Sequence, residues 1–246
     1  MNAALRAEWL KLTTTKPFRW LLYGAGTVGV LVAFIGTAQG PPPWHVSQPL
    51  REGTAWSLGT LSVTVLAMVI GSRTVTEEFA YDSVVHTFIA DPDRRRTMLA
   101  KAAIAALASG LVAAVTAVAI GVTTYGMAAA TGGNRIVFQS DGQALVGLLA
   151  AAAAMGVMGV GVGAIARHPV PALVGVLLWL FVAENLVGLI AGPVAGFLPG
   201  KLATALAGVP QAAAAAPVTV AAGATAAYAA VLLAAGGLQM RRRDVL

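Results

Sequence analysis

Residues 144–166 read ALVGLLAAAAAMGVMGVGVGAIA, an apolar run of 23 residues without a single charge. A bilayer hydrocarbon core is about 30 Å thick, and a helix needs roughly 20 apolar residues to cross it. This run therefore predicts a membrane-spanning helix. Five further apolar runs, without strand-like alternation, lie at residues 20–38, 55–72, 102–130, 170–191 and 217–238. We predict an all-α, polytopic membrane protein with six transmembrane helices in one domain, residues 1–246.

The overall composition agrees with that prediction. Hydrophobic residues make up 58% of the chain, charged residues 11%, and the mean hydropathy is +0.79. Soluble domains carry about 25% charged residues, so a soluble enzyme and a disordered chain are excluded. The sixteen basic residues are dispersed among apolar runs, which argues against a nucleic-acid partner. The chain has no cysteine, and its three histidines lie in three different connections, so we predict no metal site.

The distribution of lysine and arginine predicts the orientation of the spans. Thirteen of the sixteen basic residues fall in the N-terminal segment, in the connection 73–101, at Arg167 or in the C-terminal tail. Such an excess marks the cytoplasmic side of a membrane protein. We therefore expect a multi-pass protein of the cell membrane with both termini in the cytoplasm.

The segment before the first span, residues 1–18, shows a helical pattern. Leu5, Trp9 and Leu12 recur at helical spacing among polar residues. One interpretation is an amphipathic helix that lies in the membrane interface and contacts lipid headgroups. The alternative is a lead-in helix that only fixes topology.

The connection 73–101 is the most patterned polar stretch of the chain. Thr74 and Glu77 match a capping box, which predicts a helix that leaves or extends the second span. Asp82 or Ser83 can cap a second short helix, and Asp91 before Pro92 suits the start of a third. A docking surface and a solvated positive-inside loop both fit this pattern.

At these residues the chain resembles permease subunits of ABC exporters of the ABC-2 type. The resemblance is carried by Leu5-Arg6-Ala7-Glu8-Trp9 with Lys11-Leu12, then by Glu78-Phe79, Ser83, Ile89, Pro92, the arginines 94–96 and Lys101, and by the tail Arg241-Arg242-Arg243-Asp244. Asp82 stands where the family pattern has Gly, and Ser83 and Ile89 replace Thr and Leu.

The resemblance implies a coupling helix between spans 2 and 3 that sits in a groove of a separate ATPase subunit. The ATPase-coupling residues carried over are Glu77, Glu78, Ser83, Val85, Phe88, Ile89, Pro92, Arg94, Arg95 and Arg96. It also implies an interfacial N-terminal helix and a re-entrant segment between spans 5 and 6. The implied partners are two copies of the ABC ATPase and a second permease chain, identical or paralogous.

This chain is not expected to be an enzyme. The phosphate-binding pattern G-x-x-x-x-G-K-[ST] does not occur in it. We therefore expect no cofactor in this chain, with ATP and Mg bound by the partner ATPase. A largely apolar path would suit a hydrophobic drug, antibiotic or lipid-like substrate, and small cations are the alternative substrate class.

Glu184 is the one acidic residue inside an apolar run, and Asn185 follows it. It lies about 21 Å along a helix from Val170, in the outer half of the membrane. It is either a group of the translocation path or gate, or a structural hydrogen-bond partner. The alternative function, from a different class, is an ion- or proton-coupled secondary carrier that uses Glu184.

Overall fold

The computed structural model describes residues 2–14, 16–38, 48–81, 94–130, 141–209 and 217–242. Within these ranges every regular element is a helix, as predicted. The elements in chain order are α1 (Asn2–Thr14), α2 (Lys16–Ala38), α3 (Gln48–Ala80), α4 (Arg94–Ala130), α5 (Asp141–Ala166), α6 (Pro169–Leu177), a π-helical turn (Leu178–Ala183), α7 (Glu184–Ile190), α8 (Gly192–Ala195), α9 (Pro199–Leu206) and α10 (Val218–Arg242).

Six helices in the described part of the chain are long and apolar enough to cross a membrane, which is the predicted number. They are Lys16–Gly36, Ala55–Ala80, Arg95–Met127, Gly142–Ala166, Pro169–Ile190 and Val218–Met240. The fifth combines α6, the π turn and α7. This architecture is consistent with a multi-pass membrane protein.

The helices of the second and third spans extend beyond the apolar runs that predicted them. Helix α3 continues to Ala80, and α4 already begins at Arg94. A helix tolerates such charged ends when the charges pair with one another. The expected capping box is not formed, because Arg73 pairs with Glu77 one turn later and the Thr74 hydroxyl donates to the Gly71 carbonyl at 2.7 Å.

Helix α5 is the centre of the bundle and lies against α3, α4 and α10. Its glycines permit this close packing. A Cβ atom at Gly159 would overlap the Met68 carbonyl oxygen, and one at Gly163 would lie 2.5 Å from that of Ser72. The Gly159–Gly163 pair therefore forms a small-residue contact with α3.

The helices alternate in direction, so their ends gather at two faces of the bundle. One of these faces contains the charged side chains of Glu8, Lys11, Glu78 and Lys101 and is called here the ion-cluster face. It is formed by α1, the start of α2, the end of α3, the start of α4, the α5–α6 turn and the end of α10. Arg167, in the α5–α6 turn, ties three of these elements together. Its guanidinium donates to the Gln239 carbonyl at 3.1 Å and stacks 5.3 Å from the centre of the Phe79 ring.

The segment between the fifth and sixth spans contains two short helices, α8 and α9. Helix α9 packs against α3, α5 and α10, and Leu202 and Ala203 on it are fully buried. It meets α5 so closely that a Cβ at Gly147 would overlap the Leu206 carbonyl oxygen. Since Gly147 is near the start of α5, α9 lies toward the face opposite the ion cluster.

Candidate functional site

Helix α1 docks on the bundle through a face that includes a carboxylate. Leu5 and Leu12 are half-buried and Glu8 is buried between them, so the inward positions are 5, 8 and 12. Only Leu5 and Leu12 of the predicted apolar stripe therefore belong to the docked face, and Trp9 does not. Trp9 and Leu10 are 37% and 62% exposed and lie on the outer side of the helix.

Four charged side chains from three helices meet beneath α1. The ammonium of Lys101 donates to both Glu8 carboxylate oxygens at 3.1 Å, to Glu78 at 2.7 Å and to the Thr74 carbonyl at 3.1 Å. Lys11 donates to Glu78 at 2.9 Å and to Glu8 at 3.3 Å. We call Glu8, Lys11, Glu78 and Lys101 the ion cluster.

Three of the four side chains of the ion cluster are shielded from solvent. Lys101 is only 2% exposed, and Glu8 and Glu78 are also buried. A charge in such a place is tolerated only when it is paired and hydrogen-bonded. Here two ammonium groups face two carboxylates, so the cluster is neutral as a whole.

Lys11 closes the cluster toward solvent, with about half of its side chain exposed. Partial burial acts to lower the pKa of Lys11, but the hydrogen bond to Glu78 and the charges of Glu8 and Glu78 outweigh it. The net effect is a pKa above the ordinary value of 10.5. Lys11 is therefore charged at neutral pH.

The ion cluster connects elements that are distant in sequence. Glu8 lies on α1, Glu78 near the end of α3 and Lys101 in the second turn of α4. Helices α3 and α4 flank the connection 82–93. Helix α1 is thus attached to both helices from which that connection leaves the bundle.

The structure separates the predicted coupling residues into different groups. Glu78 belongs to the buried cluster, whereas Glu77 pairs with Arg73 on the same helix. Arg95 and Arg96 are exposed at the start of α4. For Arg94 the structure describes only the helical backbone. The remaining members lie outside the described residues: Ser83, Val85, Phe88, Ile89 and Pro92.

Glu184 and Asn185 point in different directions. Glu184 is 3% exposed, and its carboxylate accepts the backbone N–H of Gly200 at 2.8 Å. Asn185 is exposed, and its amide donates to the Phe181 carbonyl at 2.8 Å on its own helix. The two neighbours therefore do not form a common polar site.

Sequence reasoning did not find the ion cluster as a unit. The sequence alone identifies Glu8 and Lys101 as members of the family motif, and Lys101 also as a basic residue near a span. Lys101 directly precedes an apolar run and Glu8 lies in the helical pattern before the first span, but nothing local pairs residues 93 positions apart. In the described residues, no group of three His, Cys, Asp or Glu is placed to hold a metal ion.

No protein-family model matches this chain, and no curated protein matches it.

Proposed function

We propose that this chain is the membrane permease subunit of an ATP-binding cassette exporter of the ABC-2 type, driven by a separate ATPase subunit. The observation that supports this best is the buried ion cluster, which fixes an amphipathic helix to the two helices that flank the connection 82–93. Such an arrangement provides a rigid platform at the point where a cytoplasmic motor would bind.

The rigidity follows from the position of Lys101. Its ammonium bonds to α1 and α3 from its place on α4, so a helix that moves away from the other two must break a buried hydrogen bond to Lys101 or move Lys101 itself. Breaking a buried ion pair costs about 3–5 kcal/mol. A force applied to the connection 82–93 would therefore move α1, α3 and α4 together.

Movement of these helices can couple ATP hydrolysis to transport. ATP binding to the ATPase subunits would bias the spans between two packings, as in other two-state switches. Two permease chains, identical or paralogous, would form the path between them, and two ATPase copies would bind below. The exported compound would be a hydrophobic drug, antibiotic or lipid-like molecule.

The orientation belongs to the same proposal. The ion-cluster face gathers α1, the start of α2, the flanks of the connection 82–93, Arg167 and the end of α10. Thirteen of the sixteen basic residues belong to these segments or to the tail that follows α10. The positive-inside rule then assigns that face to the cytoplasm of the cell membrane. Exposed Trp9 and Leu10 would contact lipid at the interface.

The segment α8–α9 fits the re-entrant element that the resemblance implies. Helix α9 returns toward the bundle interior, where Leu202 and Ala203 are fully buried. Its place opposite the ion-cluster face would be the exit side of the path.

The carrier alternative depends on Glu184 as an ion-binding group. Its carboxylate is engaged by the backbone at the start of α9, 2.8 Å from the Gly200 nitrogen. That environment favours a structural acceptor, so we prefer the permease.

Co-purification of the tagged chain from membranes of its host tests the proposal. We expect a stoichiometric ATPase subunit, and we expect Arg95→Glu combined with Phe88→Asp to abolish its recovery. Arg19→Glu is the matched control, because Arg19 is an exposed basic residue that is not among the predicted coupling residues. Absence of an ATPase from the purified wild-type chain, or equal recovery with the double variant and the control, would contradict the proposal.

A further inference from the structure

Helix α9 is too short to be stable alone. It has eight residues, and isolated helices shorter than about 12 residues are marginal in water even when their sequence favours helix. Its own sequence provides no side-chain cap, because Leu198 occupies the N-cap position. The helix therefore depends on what the rest of the molecule offers to its first turn and to its buried face.

The carboxylate of Glu184 provides the hydrogen-bond acceptor that the first turn of α9 lacks. Its carboxylate accepts the Gly200 N–H at 2.8 Å, and the backbone of Lys201 and the side chain of Trp179 lie near it. An acceptor at a helix N-terminus satisfies N–H groups that have no partner within the helix. Glu184 thus acts as a cap supplied from another span.

Two local features allow this contact. Gly200 has no side chain, and a Cβ there would lie 2.5 Å from a carboxylate oxygen of Glu184. Glu184 directly follows the π-helical turn Leu178–Ala183, and one extra residue in a turn rotates the following side chain by about 100°. Without that turn the carboxylate would face elsewhere.

We propose that Glu184 is a positioning residue that holds α9 as a closed gate between α3, α5 and α10, and that loss of this cap lets α9 move out of the bundle. The inference rests on the proposed transport function, since a gate presupposes a path, but it concerns the face opposite the ion cluster and does not depend on which partner drives transport. Glu184 acts through α9 and need not touch the transported molecule.

A single-cysteine reporter tests the gate, since the natural chain contains no cysteine. Ala203→Cys places a thiol at a fully buried position of α9, and this chain is the gate reporter. Ala105→Cys places a thiol at a fully buried position of α4 near the ion cluster, and this chain is the core reporter. Each full-length chain is reconstituted in lipid nanodiscs. The rate of reaction with a water-soluble maleimide then reports how often each position is exposed.

Four variants, each made in both reporter chains, separate the cap from general packing. Glu184→Leu keeps the size of the side chain and removes the acceptor, whereas Glu184→Gln keeps one acceptor oxygen. Gly200→Ala introduces the clash with the carboxylate. Gly192→Ala is the matched control, because a Cβ at Gly192 has no neighbour within 4 Å.

We expect Glu184→Leu and Gly200→Ala to raise the labelling rate of the gate reporter about tenfold or more. A buried N–H donor without an acceptor destabilises the closed position of α9 by a free energy that corresponds to a change of that order in the opening equilibrium. Glu184→Gln and Gly192→Ala should stay within about threefold of the parent, because one retains an acceptor and the other has free space. The labelling rate of the core reporter should not change in any variant.

Three results would overturn the proposal. Equal labelling rates of the gate reporter with Glu184 and with Glu184→Leu would show that the cap does not hold α9. A parallel rise in the core reporter would show general loss of structure. Rapid labelling of the gate reporter with Glu184 intact would show that α9 is not closed. None of these measurements requires the ATPase, so they leave the proposed function to its own test.

Discussion

Replacing Lys101 with methionine should remove the centre of the ion cluster while keeping the length of the side chain. The lysine ammonium contacts two oxygens of Glu8 at 3.1 Å and one of Glu78 at 2.7 Å, in a site where it is 2% exposed. After the substitution, the buried carboxylates of Glu8 and Glu78 lose the ammonium that they share, while Lys11 still donates to both. The packing of the aliphatic stem is preserved.

The expected loss of stability follows from burial. Removing one partner of a buried pair costs about 3–5 kcal/mol, because the other charge stays buried and unpaired. Lys11 already bonds to Glu78 at 2.9 Å and can compensate in part. We therefore expect Lys101→Met to lower the free energy of unfolding by about 3 kcal/mol.

The measurement is reversible unfolding of the purified chain in mixed detergent micelles, followed by circular dichroism. Lys11→Met is the matched control, because about half of that side chain is exposed and its loss should cost less than about 1 kcal/mol. The double variant Glu8→Gln with Lys101→Met should be less destabilised than the sum of its single variants, because it contains one fewer unpaired charge.

A change below about 1 kcal/mol for Lys101→Met would refute this reasoning, because a buried pair would then contribute no more than an exposed one. Strict additivity in the double variant would show that Glu8 and Lys101 do not interact.

Three further predictions use the same unfolding assay. Gly159→Ala should destabilise the chain by about 1–3 kcal/mol, because the new Cβ meets the α3 backbone. Gly126→Ala should be neutral, because a Cβ at Gly126 has no neighbour within 4 Å. Equal effects of the two substitutions would contradict the close contact at Gly159. Arg167 has a left-handed φ of 59°. Arg167→Ala should therefore lose the contacts of the side chain and keep the backbone strain, whereas Arg167→Gly should relieve the strain and be destabilised by about 1 kcal/mol less than Arg167→Ala. The reverse order of the two variants would be inconsistent with the strain. Because the folded pKa of Lys11 is raised above 10.5, the stability that its charge contributes should be full below pH 10.5 and lost as pH rises through the folded pKa. The difference in the free energy of unfolding between the parent and Lys11→Met should accordingly shrink in alkali. A difference that grows in alkali would contradict a raised pKa of Lys11 in the folded state.

Glu184 shows where prediction from sequence stopped. A carboxylate inside an apolar run is recognisable without a structure, because burial of an ionisable group in a membrane is unfavourable. Its partner is the backbone N–H of Gly200, sixteen residues later. An N–H group has no signature in sequence, so only the return of α9 to the bundle identifies it.

Helix α1 shows a second limit. Helical spacing located the helix itself, but it grouped Trp9 with Leu5 and Leu12 and missed the inward position of Glu8. A neighbouring lysine on α4 makes Glu8 the better inward residue, since the Glu8 carboxylate is paired there through both oxygens. The rotation of an amphipathic helix thus depends on the surface that receives it.

The sequence by itself determined the six apolar helices and the absence of the phosphate-binding pattern, because helix formation and membrane partitioning depend on consecutive residues. Only the tertiary structure decided that Glu8, Glu78 and Lys101 form one buried cluster and that Glu184 caps α9. Both sites join helices far apart in the chain, and a charge is stabilised by whatever lies within a few ångströms of it in space.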